Sequence, residues 1–194
     1  MAYTQNNAGN VSAGKPKIGG AIFTAPIGTP LPTNAVDVLD DAFENVGYIS
    51  EDGMVNSNSP TTDPIKAWGG DVVYNAQTEK DDTFKFTMIE VTNPVVLKTV
   101  YGDDNVTGDL ASGITVKANS QEQGERVYVV DMVLRGTILK RIVIARGQVT
   151  EVGDIEYTDG DLVGYETTIS AHPDEAIGYD THREYIVESG GASE

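Results

Sequence analysis

The chain has 194 residues, 13 of them basic and 30 acidic, for a formal charge of −17. That balance excludes a general nucleic-acid binder and an anionic-membrane binder, because both draw affinity from a basic footprint. With no cysteine, a disulfide framework, a thiolate metal site and a cysteine nucleophile are excluded as well.

Residues 1–17, MAYTQNNAGNVSAGKPK, are polar and rich in Asn, Gly and Ala, so they read as a flexible arm without the apolar region of a secretory signal. No apolar run approaches the ~18–20 residues of a membrane span. A strand is predicted at AIFTAP, ending at Pro26, followed by a proline-rich connector. From Asn34 the pattern predicts a short helix. Asn34 would cap it, Asp37 would face the dipole, and Val36, Leu39 and Phe43 would share a face. GYISEDG reads as a short strand running into a turn, and residues 56–64, NSNSPTTDP, as a polar loop.

A hairpin is then predicted from KAWGGDVVYNA and DDTFKFTMIEV, joined around QTEKDD. Phe84, Phe86 and Met88 alternate with Lys85 and Thr87, the period of a half-buried strand. In TNPVVLKTVYG, Asn93 is a cap, Pro94 suits the first helical position and Gly102 a stop. Leu97, Val100 and Tyr101 would face the sheet. The strongest β signal lies in ERVYVVDMVLRG, TILKRIVIARGQV and DLVGYETTISA, whose short connections imply antiparallel pairing. The predicted organisation is an arm (1–17), a β domain (18–175) and an acidic tail (176–194). The predicted class is mainly β: an antiparallel two-sheet β-sandwich or barrel with one or two short flanking helices.

Charge is uneven. Residues 126–149 carry a net +4, and residues 151–194 a net −11. A block of like charge reads first as a solvated face or tail. The basic residues at 126–146 are candidates for pairing with the acids of a neighbouring subunit.

No catalytic motif emerges. GNVSAGKP matches a phosphate-binding loop up to its lysine, but Pro16 replaces the hydroxyl residue that holds magnesium. The aspartates at 103, 104 and 109 and at 159 and 161 lack the spacing of a calcium loop and read as turn residues. Ser170, His172 and Asp174 alternate like a written-out triad. On a strand they lie about 6–7 Å apart, too far for the hydrogen-bonded contact that nucleophilic catalysis needs. No cofactor or metal is expected, and an interaction role gains weight.

The run GYISEDGMVNSNSPTTDPIKAWGGDVV at residues 47–73 resembles the major tail tube proteins of long-tailed bacteriophages. So does the order after it: DTFKFTMIEV, the helix NPVVLKTVYG, then RVYVVDMVL, LKRIVIARGQV and GYETTISAHPDE. The resemblance spans roughly residues 20–175. It implies a non-enzymatic virion protein that forms hexameric rings. The rings stack into a tube whose acidic lumen passes double-stranded DNA without binding it. It also implies tape measure, tail terminator and tail-tip proteins as partners, assembly in the host cytoplasm and no membrane binding. On this basis Tyr3, Lys15, Ser57, Asn58, Ser59, Pro60, Lys66 and Trp68 are expected at subunit contacts. Asp71, Glu79 and Asp81 are expected to face the lumen. The competing readings are another β-sandwich virion protein, such as a head decoration or terminator subunit, and a carbohydrate-binding adhesin module. A sugar site usually displays several exposed aromatics, and the chain has one tryptophan.

Overall fold

The structure, a computed structural model, describes residues 6–189. The chain is mainly β, with 48% strand and 9% helix, and its strands pair antiparallel. The strands in chain order are β1 (Gly14–Pro16), β2 (Ile22–Pro26), β3 (Glu44–Asn45), β4 (Ile49–Lys66) and β5 (Val72–Met88). After helix α1 (Pro94–Tyr101) come β6 (Val106–Thr107), β7 (Thr115–Val116), β8 (Arg126–Leu134), β9 (Ile138–Val152), β10 (Tyr165–Ala171) and β11 (Arg183–Glu188).

The centre is the β8–β9 hairpin, whose tight loop is supported by positive φ at Arg135 and Gly136. β1 and β2 lie one after the other along β8, and β11 and β10 one after the other along β9. β10 then pairs with β5, and β5 with β4. At the opposite end, β3 pairs with β2. Only residues 46–48 separate β3 from β4, so the two ends of the sheet meet and it closes around its core as a β-sandwich. Val46 N donates to Ile22 O at 3.1 Å and Ile89 N to Tyr48 O at 3.0 Å, which seals this seam. Gly47 makes the bend at φ 79°, and a Cβ there would stand 2.2 Å from the Glu90 carboxyl carbon.

The core is built from the inward residues of that closed sheet: Ile22, Phe84, Phe86, Met88, Tyr128, Val130, Ile142, Ile144 and Ile169. Helix α1 caps it with Val96, Leu97 and Val100. Asn93 caps α1 by accepting from Val95 N at 3.0 Å, and Gly102 ends it, as the sequence predicts.

Three expectations are corrected. The helix from Asn34 is absent: residues 34–42 form a bent loop. Asn34 still caps, accepting from the backbone of Val36 and Asp37, but Asp37 turns back to accept from Thr33, which closes a turn rather than starting a helix. The loop is instead anchored by Arg141, which donates to Asn34 O and Asp37 O. The polar segment 56–64 is strand, not loop. The hairpin reverses at residues 67–71 rather than at QTEKDD, which lies inside β5. The ribbon has no buried face there, so no hydrophobic period marks it; the turn signal is Gly69 and Gly70, both at positive φ.

The basic residues at 126–146 have partners within the chain. Arg126 pairs with Asp103, Lys140 with Glu184, Arg141 with Asp131 and Arg146 with Glu125. Arg135 donates to Ala8 O. These cations are occupied within their own subunit.

Segments outside the expected β domain also join the sheet. Lys15 sits on β1 opposite Val133, and Tyr185 and Ile186 on β11 opposite Arg141 and Lys140.

Candidate functional site

The β4–β5 hairpin is the feature that no packing argument within one chain explains. Its lower part belongs to the sandwich. Phe84, Phe86 and Met88 point inward while Lys85 and Thr87 point outward, and β10 pairs with β5 as far as Thr83. Beyond Asn56 on β4 and Asp82 on β5 the ribbon leaves the body. From Ser57 to Ala67 it extends about 35 Å at roughly 3.3 Å per residue, and nearly every side chain on both faces is exposed. Among the described residues, no strand pairs with the outer edge of β4, nor with β5 beyond Thr83.

The two free edges differ. β4 carries Pro60 and Pro64, which lack a backbone N–H, and proline is a common guard on edge strands. β5 has no proline between Val72 and Asp82, so its donors and acceptors are intact.

The turn is held by Ala67 N donating to Asp71 O at 2.8 Å and Gly70 N to Ala67 O at 3.0 Å. Trp68 projects from it fully exposed. Ile65, Val72, Val73 and Tyr74 are also more than half exposed. Ile65 stands directly opposite Tyr74 and so shares its face. The tip is thus an apolar cluster in water, rimmed by Lys66 and Asp71.

The expected site residues gather on this hairpin. Ser57, Asn58, Ser59, Pro60 and Lys66 lie along β4, Trp68 and Asp71 at the tip, and Glu79 and Asp81 on β5 opposite Thr61 and Ser59. Lys15 is apart, on the edge strand β1. Tyr3 lies outside the described residues. The pairing sets two faces. Ser57, Ser59 and Thr61 share one with Glu79, Asp81 and Thr83, and it continues the outward face of β10, with Glu166, Thr168 and Ser170. On that face Lys85 is held by Glu166 at 2.7 Å.

At the root, Asp82 takes the next inward position of the Phe84, Phe86, Met88 series and is buried. Its carboxylate accepts from Asn56 Nδ2 at 2.9 Å and from Thr181 Oγ1 at 2.5 Å, and lies 2.5 Å from His182 Nδ1. Burial pushes its pKa up, but the hydrogen bonds from Thr181, Asn56 and His182 outweigh that and hold it below the usual carboxylate value. His182 stacks edge-on against Phe84, ring centres 5.2 Å apart.

A cleft of about 520 Å³ opens beside this root and touches both histidines, Ser170 and Lys80. It does not assemble a triad. His172 bonds Glu125 at 3.0 Å, Ser170 lies 3.1 Å from Thr150 Oγ1, and Asp174 accepts from Ala176 N.

A family model described as phage tail tube protein matches residues 4–181, covering the whole hairpin and the sandwich up to the segment before β11. The chain belongs to that family. The tail tube protein is therefore a structural component of a phage tail that self-assembles into a tube. A search of curated proteins returns no significant match.

Two groups of functional residues escape the sequence reading. The apolar tip formed by Ile65, Val72, Val73 and Tyr74 is hidden because the predicted turn at QTEKDD places Val72, Val73 and Tyr74 within a strand rather than beside the reversal at 67–71. Asp82 had a visible signal: it is the one charge in phase with three apolar inward positions.

Proposed function

We propose that six copies of this tail tube protein close into a ring, and that rings stack into the tail tube of a long-tailed phage. The role is non-enzymatic: the assembled tube, built in the host cytoplasm, conducts the genome during delivery. Its further contacts are the tape measure protein inside and the terminator and tail-tip proteins at the ends.

The observation that carries this reading is the bare hairpin. An isolated two-stranded ribbon is marginally stable in water, and an open strand edge invites pairing with another chain. Both problems are solved when a neighbouring copy lies along the free edge of β5 and covers the tip around Trp68. Ser57, Asn58, Ser59, Pro60 and Lys66 then lie at or beside the subunit contact. Tyr3 and Lys15 serve contacts of the N-terminal segment with the adjacent ring.

The face bearing Glu79 and Asp81 suits the lumen, with Asp71 at its rim. Its side chains are short hydroxyls and carboxylates, and its lysine, Lys85, is paired. A wall of that kind repels phosphate and offers DNA nothing to hold.

Negative-stain microscopy of the concentrated protein tests the reading. Hollow tubes or stacked rings are expected. Globular particles at every concentration and salt condition would refute it.

A further inference from the structure

Resting on that reading, we propose that Asp82 and His182 are positioning residues for assembly: with Asn56 and Thr181 they form a latch that fixes the direction in which the hairpin leaves the body.

The placement of the latch supports this. β10 gives its last rung to β5 at Thr83, paired with Ser170. Asp82 is the next residue, and beyond it the ribbon has no third strand. The latch is thus the final tie between ribbon and sandwich. A small change of angle at this point moves a tip about 35 Å away by many ångströms, given roughly 3.3 Å of reach per residue.

The latch also joins three separate parts of the chain. Asn56 comes from β4, Asp82 from β5, and Thr181 and His182 from the segment that leads into β11. β11 is itself fixed to the central strand β9 by six paired residues, from Arg183 opposite Val143 to Glu188 opposite Ile138. The ribbon's direction is therefore referred to the central strand of the sheet, through one carboxylate. Asp82 is buried, whereas its neighbours Lys80 and Asp81 on the same strand are exposed. A buried carboxylate is retained only when its hydrogen bonds are satisfied, and here three side chains supply them. An apolar residue would continue the inward series of Phe84, Phe86 and Met88 but would leave the segment at 181–182 unattached. The ribbon would then pivot at Thr83.

Spin labels test this, because the chain has no cysteine to interfere. Nitroxides at Thr62→Cys on the ribbon and Glu151→Cys on β9 report the hairpin angle by pulsed dipolar spectroscopy on dilute, unassembled protein. The parent chain is expected to give one narrow distance distribution. Asp82→Asn and His182→Ala are expected to widen it at least about two-fold and to raise the concentration needed for tubes about ten-fold. Thr181→Val removes one hydrogen bond and serves as the milder variant if Asp82→Asn unfolds. An unchanged width in folded variants would overturn the latch. A wider distribution with unchanged assembly would overturn its role in positioning. Absence of tubes from the parent chain would count against the tail tube reading, while the distances would still decide the latch.

Discussion

Trp68 offers the sharpest test of the hairpin as an assembly element. It stands fully exposed at the turn and contributes nothing to its own core. Trp68→Ala should therefore leave the monomer almost unchanged. Exposed substitutions away from special features cost within about 0.5 kcal/mol, or roughly 1–2 °C of thermal midpoint for a chain of this size. In the proposed assembly the same residue is covered. An indole buries about 200 Å², worth about 5 kcal/mol at ~25 cal/mol per Å². Measured interface anchors return about 2–4 kcal/mol on truncation, the remainder going to side-chain ordering. At about 1.4 kcal/mol per decade, the critical concentration for tubes should rise roughly 30- to 1,000-fold. Sedimentation across a dilution series measures it, and a thermal melt of dilute protein controls for stability. A critical concentration within about three-fold of the parent, beside an unchanged melt, would refute burial of the tip.

Three further outcomes follow from the sandwich. Asp131→Ala strands the Arg141 guanidinium, which is buried and bonded to Asp131 at 2.6 and 2.7 Å. Chemical denaturation should show a loss of about 3–5 kcal/mol, and Asp131→Leu with Arg141→Met should recover most of it. Gly47→Ala combines a φ of 79° with a Cβ placed against the Glu90 carboxylate; a loss of at least ~1 kcal/mol is expected in the same assay. Glu125, hydrogen-bonded by Arg146, and Asp82 both have carboxyl pKa values below the ordinary ones. Their stabilisation is complete above the unfolded-state value of about 4 and is lost as pH falls through the lowered folded value. The thermal midpoint should therefore drop as pH falls below about 4, and Asp82→Asn should flatten part of that slope.

Where side chains face a core, the sequence states the fold. Phe84, Phe86 and Met88 alternate because they pack, Asn93 and Gly102 bound α1 because its ends need caps, and the runs around β8, β9 and β10 are apolar because they are central. Where structure is set by something outside the local pattern, the sequence is silent. Asn34 to Ala42 carries a capping residue and a plausible apolar spacing, yet that segment is shaped by Arg141, 99 or more residues away along the chain. The ribbon from Ser57 to Lys66 has no inward face in one subunit, so neither strand period nor core position marks it. Its polarity reads as loop for the same physical reason that it projects. The site residues on it, with Trp68 at the tip, are legible only as a group lacking a core, and the exposure of Ile65, Val72, Val73 and Tyr74 beside Trp68 is not legible, because the turn reads at QTEKDD.

The charge of −17 takes on a more specific meaning in this fold. Arg126, Lys140, Arg141, Arg146 and Arg183 each pair with an acid of their own chain. Most of the cations at 126–146 thus have acidic partners within the chain. Copies of the protein therefore repel one another at long range, and what joins them must act at contact, which the proposed backbone bonds along β5 and apolar cover for the tip would do. The acidic block after residue 150 is also divided by the fold. Asp180 and Glu184 are taken up by Arg183 and Lys140, and Asp174 caps a turn. Glu166 pairs with Lys85 on the outward face that also carries Glu79 and Asp81, and Glu151 of β9 stands on that face opposite Thr168. On the proposed lumen assignment, the acidic wall draws on both parts of the sequence, brought together because β9, β10 and β5 are neighbours just below the point where the hairpin leaves the body.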